Sequence, residues 1–314
     1  MPGTSRTSAG AGRYAPSPTG ELHLGNLRTA VLAWLFARST DRRFLLRIED
    51  LDESRVRPGL AEQQCAALAA LGLTFDEPPV VQSARLAAYE QALQELAERS
   101  YECFCSRREI AEAASAPHGA IGRYPGTCRD LDPAERAARR AKRTPALRLR
   151  ADHASMTVHD LLHGEVAGTV DDFVIRRTDG VPAYNLAVVV DDAAAGIDQV
   201  VRGEDLLPSA VNQAFLGSVL GHQPPTYAHV PLAVNVAMRR LAKRDGAVTL
   251  SDLGRLGWAA ADVLNMIARS LDLIGPDESA DLWQLLERFD PAQLPRRPWV
   301  VRPPLSPPPL GSSP

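Results

Sequence analysis

Lysine is almost missing from this sequence: only Lys142 and Lys243 stand among 35 basic residues. In a chain that uses arginine for nearly all its positive charge, a retained lysine marks a place where a compact ammonium is wanted rather than a planar guanidinium. Long apolar runs are missing too. No run approaches the roughly 18 residues of a membrane span, and the first twelve residues are small and polar, without the apolar core of a secretory signal. The expected compartment is the cytoplasm. Cysteine is scarce, and Cys65, Cys103, Cys105 and Cys128, without a secretory signal, are expected to be thiols or a metal site rather than disulfides. Neither GxxxxGK[ST] nor GxGxxG occurs, so P-loop and ordinary dinucleotide readings have no support. A net charge of -3 excludes bulk positive charge as the means of meeting nucleic acid; a local basic patch would be needed.

What is present describes an ordinary globular chain of about two domains' length, with 314 residues, 45% hydrophobic and 23% charged. Gly12 to Ser17 reads as short and extended and runs into the dense turn signal Pro16-Ser17-Pro18-Thr19-Gly20. From Gly25, apolar Leu27, Val31, Trp34, Leu35 and Ala37 recur near helical spacing. Phe44 to Ile48 is strand-like and ends in Glu49-Asp50, and helical stretches at 59 to 71 and 83 to 99 flank Val80-Val81. Strand, helix, strand, helix predicts a mostly parallel α/β sheet. Residues 100 to 183 break the rhythm with clustered cysteines, a basic run and short β-like pieces, and are read as an inserted α+β subdomain. The pattern resumes with the apolar runs Ala187 to Val190 and Gln199 to Val201, then a helix near 208 to 220 and the apolar Val230 to Leu232. The expected organisation is therefore a flexible 1–11, a Rossmann-like catalytic domain in two halves at 12–99 and 184–240, the insertion at 100–183, and a loop and helical region at 241–300. Beyond Pro295 the chain turns Pro- and Ser-rich and reads as a disordered tail, 301–314.

Arg13 to Asn26 sets a strand end, a tight turn, His23 and Gly25 directly before a helix. That arrangement makes an anion site, because the unpaired N–H groups and positive dipole end of a helix attract phosphate. Read alone, His23 is as well explained by capping or packing. The stretch His23-Leu24-Gly25-Asn26, however, resembles the HIGH signature of class I aminoacyl-tRNA synthetases, and the preceding Arg-Tyr-Ala-Pro-Ser-Pro-Thr-Gly is similar to the glutamyl-type members. Asn26 stands where the second histidine often is. Arg47 to Asp50, Ala183 to Asp192 and Val201 to Leu206 resemble further family segments in the same order, so that the resemblance covers about residues 12 to 245. Arg240-Leu241-Ala242-Lys243 resembles a degraded KMSKS motif, with Arg240 for the first lysine and Ala242 for the serine.

The resemblance implies amino-acid activation by ATP, with Mg²⁺ accompanying the nucleotide. His23 and Lys243 are then the catalytic candidates on the triphosphate, with Gly25 and Asn26 completing the ATP site. Glutamate needs fixed cations and one anion: Arg13 and Arg202 for its carboxylates, Glu49 for its ammonium, and Ser17 and Tyr184 for neutral hydrogen bonds.

Cys103, Cys105 and Cys128 lie within 26 positions. Three thiols suggest a metal without proving one, since zinc takes four ligands. The spacing resembles the zinc site of glutamyl-queuosine tRNA(Asp) synthetases, which implies one structural Zn²⁺ with Tyr124 as fourth ligand; by ordinary zinc preference His118 competes. Cys65 is expected in the core. The basic run Arg136, Arg139, Arg140, Lys142, Arg143 is open to two readings, RNA phosphate contact or a solvated helix face. Only about 60 ordered residues follow Lys243, whereas glutamyl-tRNA synthetases continue into an anticodon-reading domain. Together with the cysteine cluster this resembles the glutamyl-queuosine tRNA(Asp) synthetases, and the resemblance implies transfer of glutamate to queuosine at the wobble position of tRNA(Asp), by a monomer. A minimal glutamyl-tRNA synthetase and an inactive RNA- or glutamate-binding paralogue are the alternatives.

Overall fold

A computed structural model describes residues 10–106, 108–110, 124–241 and 249–302. The expected tail beyond 302, most of the N-terminal segment, and His118, Ala242, Lys243 and Arg244 lie outside the described residues.

The chain opens with β1 (Ala11–Tyr14), α1 (Leu24–Arg38), β2 (Arg43–Ile48), α2 (Leu60–Ala70), β3 (Val80–Val81) and α3 (Leu86–Glu95). Then come β4 (Ser100–Cys103), α4 (Pro133–Arg140), β5 (Ala146–Leu149), β6 (Ser155–Asp160), β7 (Gly164–Thr169) and β8 (Val174–Arg176). The second half supplies α5 (Tyr184–Ala194), β9 (Ile197–Gly203), α6 (Leu207–Val219), β10 (Thr226–Val230) and β11 (Ala233–Val234). It ends in α7 (Leu250–Arg255), α8 (Ala260–Ser270), α9 (Leu282–Glu287) and β12 (Trp299–Val300).

Seven strands form one sheet in the order β3-β2-β1-β9-β10-β6-β7. Every pair is parallel except β6 with β7. The order reverses between β1 and β9, which come from separated parts of the chain, and ligands bind outside the carboxyl ends of strands at such a switch point. Helix α1 is buried almost all round because it is sandwiched: Trp34, Leu35 and Phe36 belong to one core with β1, β2 and the C-terminal helices α8 and α9. A second core lies across α3, α5 and α6.

Three expectations are corrected. The run Ala187 to Val190 is helical, within α5; its periodicity alone does not separate a short apolar helix face from a buried strand. The segment 100–183 is not wholly separate: β4, β5 and β8 make their own three-stranded antiparallel sheet, whereas β6 pairs in parallel with β10 and carries β7 with it onto the edge of the main sheet. Order also extends past Pro295, since Trp299 and Val300 pair with β11 and Val301 is buried. Among the described residues no helix is long and apolar enough to cross a membrane.

Candidate active site

A cavity of about 640 Å³ opens at the carboxyl ends of β1, β2, β9 and β10. Its wall includes Ser17, His23, Gly25, Asn26, Glu49, Tyr184 and Arg202, seven of the residues singled out from the sequence.

His23 is the N-cap of α1. Its Nδ1 accepts hydrogen bonds from the N–H groups of Gly25 (3.1 Å) and Asn26 (3.3 Å), and Asn26 Oδ1 accepts one from the His23 N–H, closing a capping box. An imidazole that accepts at Nδ1 carries its proton at Nε2, so the ring offers a neutral N–H donor. Burial, reinforced by the Arg240 guanidinium, lowers the His23 pKa to about 4. Capping and function are therefore not alternatives here. A Cβ on Gly25 would come within 3.1 Å of both Ala233 Cβ and the His23 ring, so the glycine lets α1 start against β11.

The acidic and basic groups behind the wall form one buried network. Arg47 donates to Asp192 (2.5 Å) and Glu49 (3.0 Å), and Arg13 donates from Nε to Asp192 (3.1 Å). Burial raises the Glu49 pKa against the pull of Arg47. Arg13 is itself buried and is not among the residues lining the cavity; Asp192 holds it behind. Asp50 turns away, accepting from the Ser83 backbone N–H and hydroxyl and so tying the end of β2 to the segment before α3. Tyr184, the first residue of α5, is 41% exposed at the rim. Gln64 reaches across from α2 and donates to the carbonyls of Ser17 (3.1 Å) and Gly20 (2.6 Å), fixing the turn between β1 and α1.

Arg240 also lines the cavity and pairs with Asp205. The first residue of the stretch that resembles KMSKS thus stands at the wall, while Lys243 lies outside the described residues.

In the insertion, the sulfurs of Cys103, Cys105 and Cys128 lie within 4.8 Å of one another, those of Cys105 and Cys128 at 3.5 Å. The Tyr124 hydroxyl lies 3.3 Å from Cys103 Sγ and 3.9 Å from Cys105 Sγ. Tetrahedral zinc with Zn–S near 2.3 Å spaces its sulfurs by about 3.8 Å and a sulfur from an oxygen by about 3.5 Å. The three separations of 3.3 to 3.9 Å lie near those spacings. Burial and the neighbouring thiols push Cys105 up to about 12, a crowding that a cation relieves. At Cys103 burial acts the same way but is outweighed by Tyr124 and Arg148, which hold the thiol below its ordinary range. Arg148 stacks 3.7 Å over the Tyr124 ring. Cys65 is half-buried against the main core, as expected.

The basic run largely serves this same cluster. Arg139 points to Cys128 Sγ (3.7 Å), Arg140 pairs with Glu102, and Arg143 donates to the Phe104 carbonyl and to Glu109. These contacts weaken the RNA reading, because the guanidiniums already have partners.

Comparison with known proteins agrees with this geometry. The family described as tRNA synthetases class I (E and Q), catalytic domain, matches residues 11–286. A glutamyl-Q tRNA(Asp) synthetase from Nocardia farcinica (strain IFM 10152) is 59% identical over 298 residues, 94% of each chain. The chain belongs to the glutamyl-Q tRNA(Asp) synthetases. A second member of that family, from Cutibacterium acnes (strain DSM 16379 / KPA171202), is 49% identical over 96% of this chain and 86% of its own. The crystal structure of a glutamate tRNA ligase from Elizabethkingia meningosepticum CCUG26117 in complex with its amino acid superposes with a TM-score of 0.77 at 26% identity, over 92% of this chain and 66% of that one. Membership of the glutamyl-Q tRNA(Asp) synthetases makes the chain a class I ligase with an α/β catalytic fold.

The sequence does not disclose Asp160, His229 or Gln213, all of which the fold sets beside residues it does disclose, and Asp205 lies within a family-like segment without a role. Asp192 was quoted within a family segment but given no role. His229 sits one strand over from Arg202, in register with it, and only the strand pairing discloses that.

Proposed function

We propose that this chain activates L-glutamate with ATP, giving glutamyl-adenylate and pyrophosphate, and transfers the glutamyl group to queuosine at the wobble position of tRNA(Asp). The supporting observation is the convergence of neutral His23, the Glu49 carboxyl group and the Arg202 guanidinium on one cavity at the strand switch point. In this reaction the glutamate α-carboxylate attacks the α-phosphorus and the bond to the pyrophosphate oxygen breaks. No protein nucleophile is required, so positioning and charge stabilisation carry the rate. Arg202 takes the substrate's side-chain carboxylate and Glu49 its ammonium, with Ser17 and Tyr184 as neutral partners. Arg13 adds positive potential from behind Glu49. His23 donates Nε2–H to the triphosphate beside Gly25 and Asn26, and Lys243 neutralises the charge that builds on pyrophosphate. Mg²⁺ arrives with ATP. Cys103, Cys105, Tyr124 and Cys128 hold a structural Zn²⁺, which supplies a cross-link within the insertion.

Two relatives named glutamyl-Q tRNA(Asp) synthetase, which align over 94% and 86% of their own lengths, support the queuosine acceptor. The site of action is the cytoplasm, and the unit a monomer. Arg240 at the cavity wall argues against a silent paralogue, because the altered motif still delivers a cation.

Glutamate-dependent exchange of labelled pyrophosphate into ATP, without tRNA, tests the activation step. Exchange should occur with glutamate and not glutamine, and Arg202→Ala should lose about 2 to 5 kcal/mol of transition-state stabilisation, the cost of stripping one partner from a buried charge pair. Exchange untouched by that substitution removes Arg202 from the site. Digestion of the labelled product should leave glutamate on the anticodon fragment; label on the 3′-terminal nucleotide would mean acceptor-end charging.

A further inference from the structure

Arg202 is 5% exposed and its guanidinium is held from three sides: Nε donates to His229 Nε2 (3.0 Å), one terminal nitrogen to Gln213 Oε1 (2.7 Å), and the other to the Leu206 carbonyl (3.3 Å). A guanidinium has five N–H donors, so these three bonds leave two, one on each terminal nitrogen, for a ligand. The Nε contact is the informative one. Arginine cannot accept a hydrogen bond, hence His229 Nε2 must accept and the ring proton must sit on Nδ1. Nδ1 lies 2.6 Å from Asp160 Oδ2, which also accepts the His229 backbone N–H at 3.1 Å. His229 is 0% exposed.

These three groups occupy adjacent strands. Arg202 on β9 is in register with His229 on β10, and β10 pairs with β6, which ends in Asp160. Asp160 is anchored in turn, since its other oxygen accepts from the Leu162 and His163 N–H groups. On the far side Gln213 passes the chain to Asn185, next to Tyr184 at the rim. The strand that supplies Asp160 belongs to the segment read from sequence as an insertion, which gives the docking of β6 on the catalytic sheet a purpose beyond adding an edge.

We propose that His229, its tautomer fixed by Asp160, is a positioning residue for Arg202: by accepting from Nε it holds the orientation that turns the two free guanidinium N–H groups toward the substrate carboxylate. The inference rests on the reading of Arg202 as the carboxylate-binding residue. Physically, an arginine left without an acceptor at Nε would swing to find one, and a carboxylate would then have to re-form the geometry at the expense of its binding. Burial holds the His229 pKa below its ordinary value, against the Asp160 hydrogen bond, with Arg202 and His163 adding to the lowering; the ring stays neutral, as acceptance from Arg202 requires.

Two substitutions separate positioning from mere support. His229→Asn keeps a donor for Asp160 but withdraws the acceptor from Arg202, whereas His229→Gln can return an acceptor. In pyrophosphate exchange, His229→Asn should raise the KM for glutamate by about ten- to a hundredfold, the range for losing a hydrogen bond to a charged group, with the KM for ATP unchanged and kcat little altered; His229→Gln should recover most of the loss. An unchanged glutamate KM, or a rise shared equally by glutamate and ATP, overturns the proposal. Arg202→Ala is measured beside them. If it raises the glutamate KM while His229→Asn does not, the positioning role alone fails; if it leaves that KM unchanged, the carboxylate reading fails and the positioning role falls with it. The unsubstituted enzyme gives a check independent of variant folding. Nitrogen NMR of ¹⁵N-histidine-labelled protein at neutral pH should show a buried ring protonated at Nδ1 and bare at Nε2, a signal assigned by its loss in either His229 variant; a proton at Nε2 overturns the proposal.

Discussion

His23 ties the start of α1 to the chemistry of the cavity, and the same ring makes a prediction about acid stability. Its folded pKa of about 4 lies below the ordinary 6.5, so between those values the unfolded chain binds the proton that the folded chain refuses. Stability from this residue is therefore full above about pH 6.5 and is lost as the pH falls toward 4. His23→Asn keeps a capping side chain and removes the titration. Melting temperature against pH should fall less steeply for the variant over that window, a residual slope remaining from buried His229; an identical slope would show that His23 does not stay neutral. That Ser17, His23, Gly25, Asn26 and Arg202 meet at one cavity wall was legible in the sequence because contiguous motifs carry them. Asp160 and His229 were not, because nothing in their neighbours distinguishes a buried hydrogen-bonded pair from two solvated polar residues.

At the scale of the element, α2 holds the turn between β1 and α1 through a single side chain. Gln64→Leu fills the same space and deletes both bonds to the Ser17 and Gly20 carbonyls, leaving two acceptors without those partners. The expected cost is about 1 to 3 kcal/mol, read from the denaturant midpoint, with raised KM for glutamate and ATP alike because both meet this turn. A stability loss with unchanged KM values would confine Gln64 to folding. Period and punctuation gave away α1, β2 and α2, whose apolar faces are long and bounded by turns. They failed at α5, where four apolar residues suit helix or strand, and at β6 and β7. A half-exposed hairpin carries no mark of which sheet it will join; that choice is made by Val158 and Tyr227 packing in one cluster, a contact between distant parts of the chain.

For the whole molecule, the split sheet means that neither half alone makes a site: β1 and β2 bring His23 and Glu49, and β9 and β10 bring Arg202 and His229. Within the insertion, the clustered thiols lie by the sheet of β4, β5 and β8 and predict a metal dependence. Metal analysis should find one zinc per chain. Cys128→Ser should lose it and lower the melting temperature, because a structural zinc contributes its binding energy to folding. Tyr124→Phe should weaken zinc retention against a chelator; zinc held equally tightly would point to another fourth ligand, such as His118.

Whether glutamate goes to the modified base is measured directly by transfer of labelled glutamate, with ATP and Mg²⁺, to tRNA from queuosine-proficient and queuosine-deficient cells in parallel. Label should appear on the queuosine-bearing pool alone. Equal label on both pools would contradict transfer to queuosine and make the acceptor the 3′ end of an ordinary glutamate tRNA.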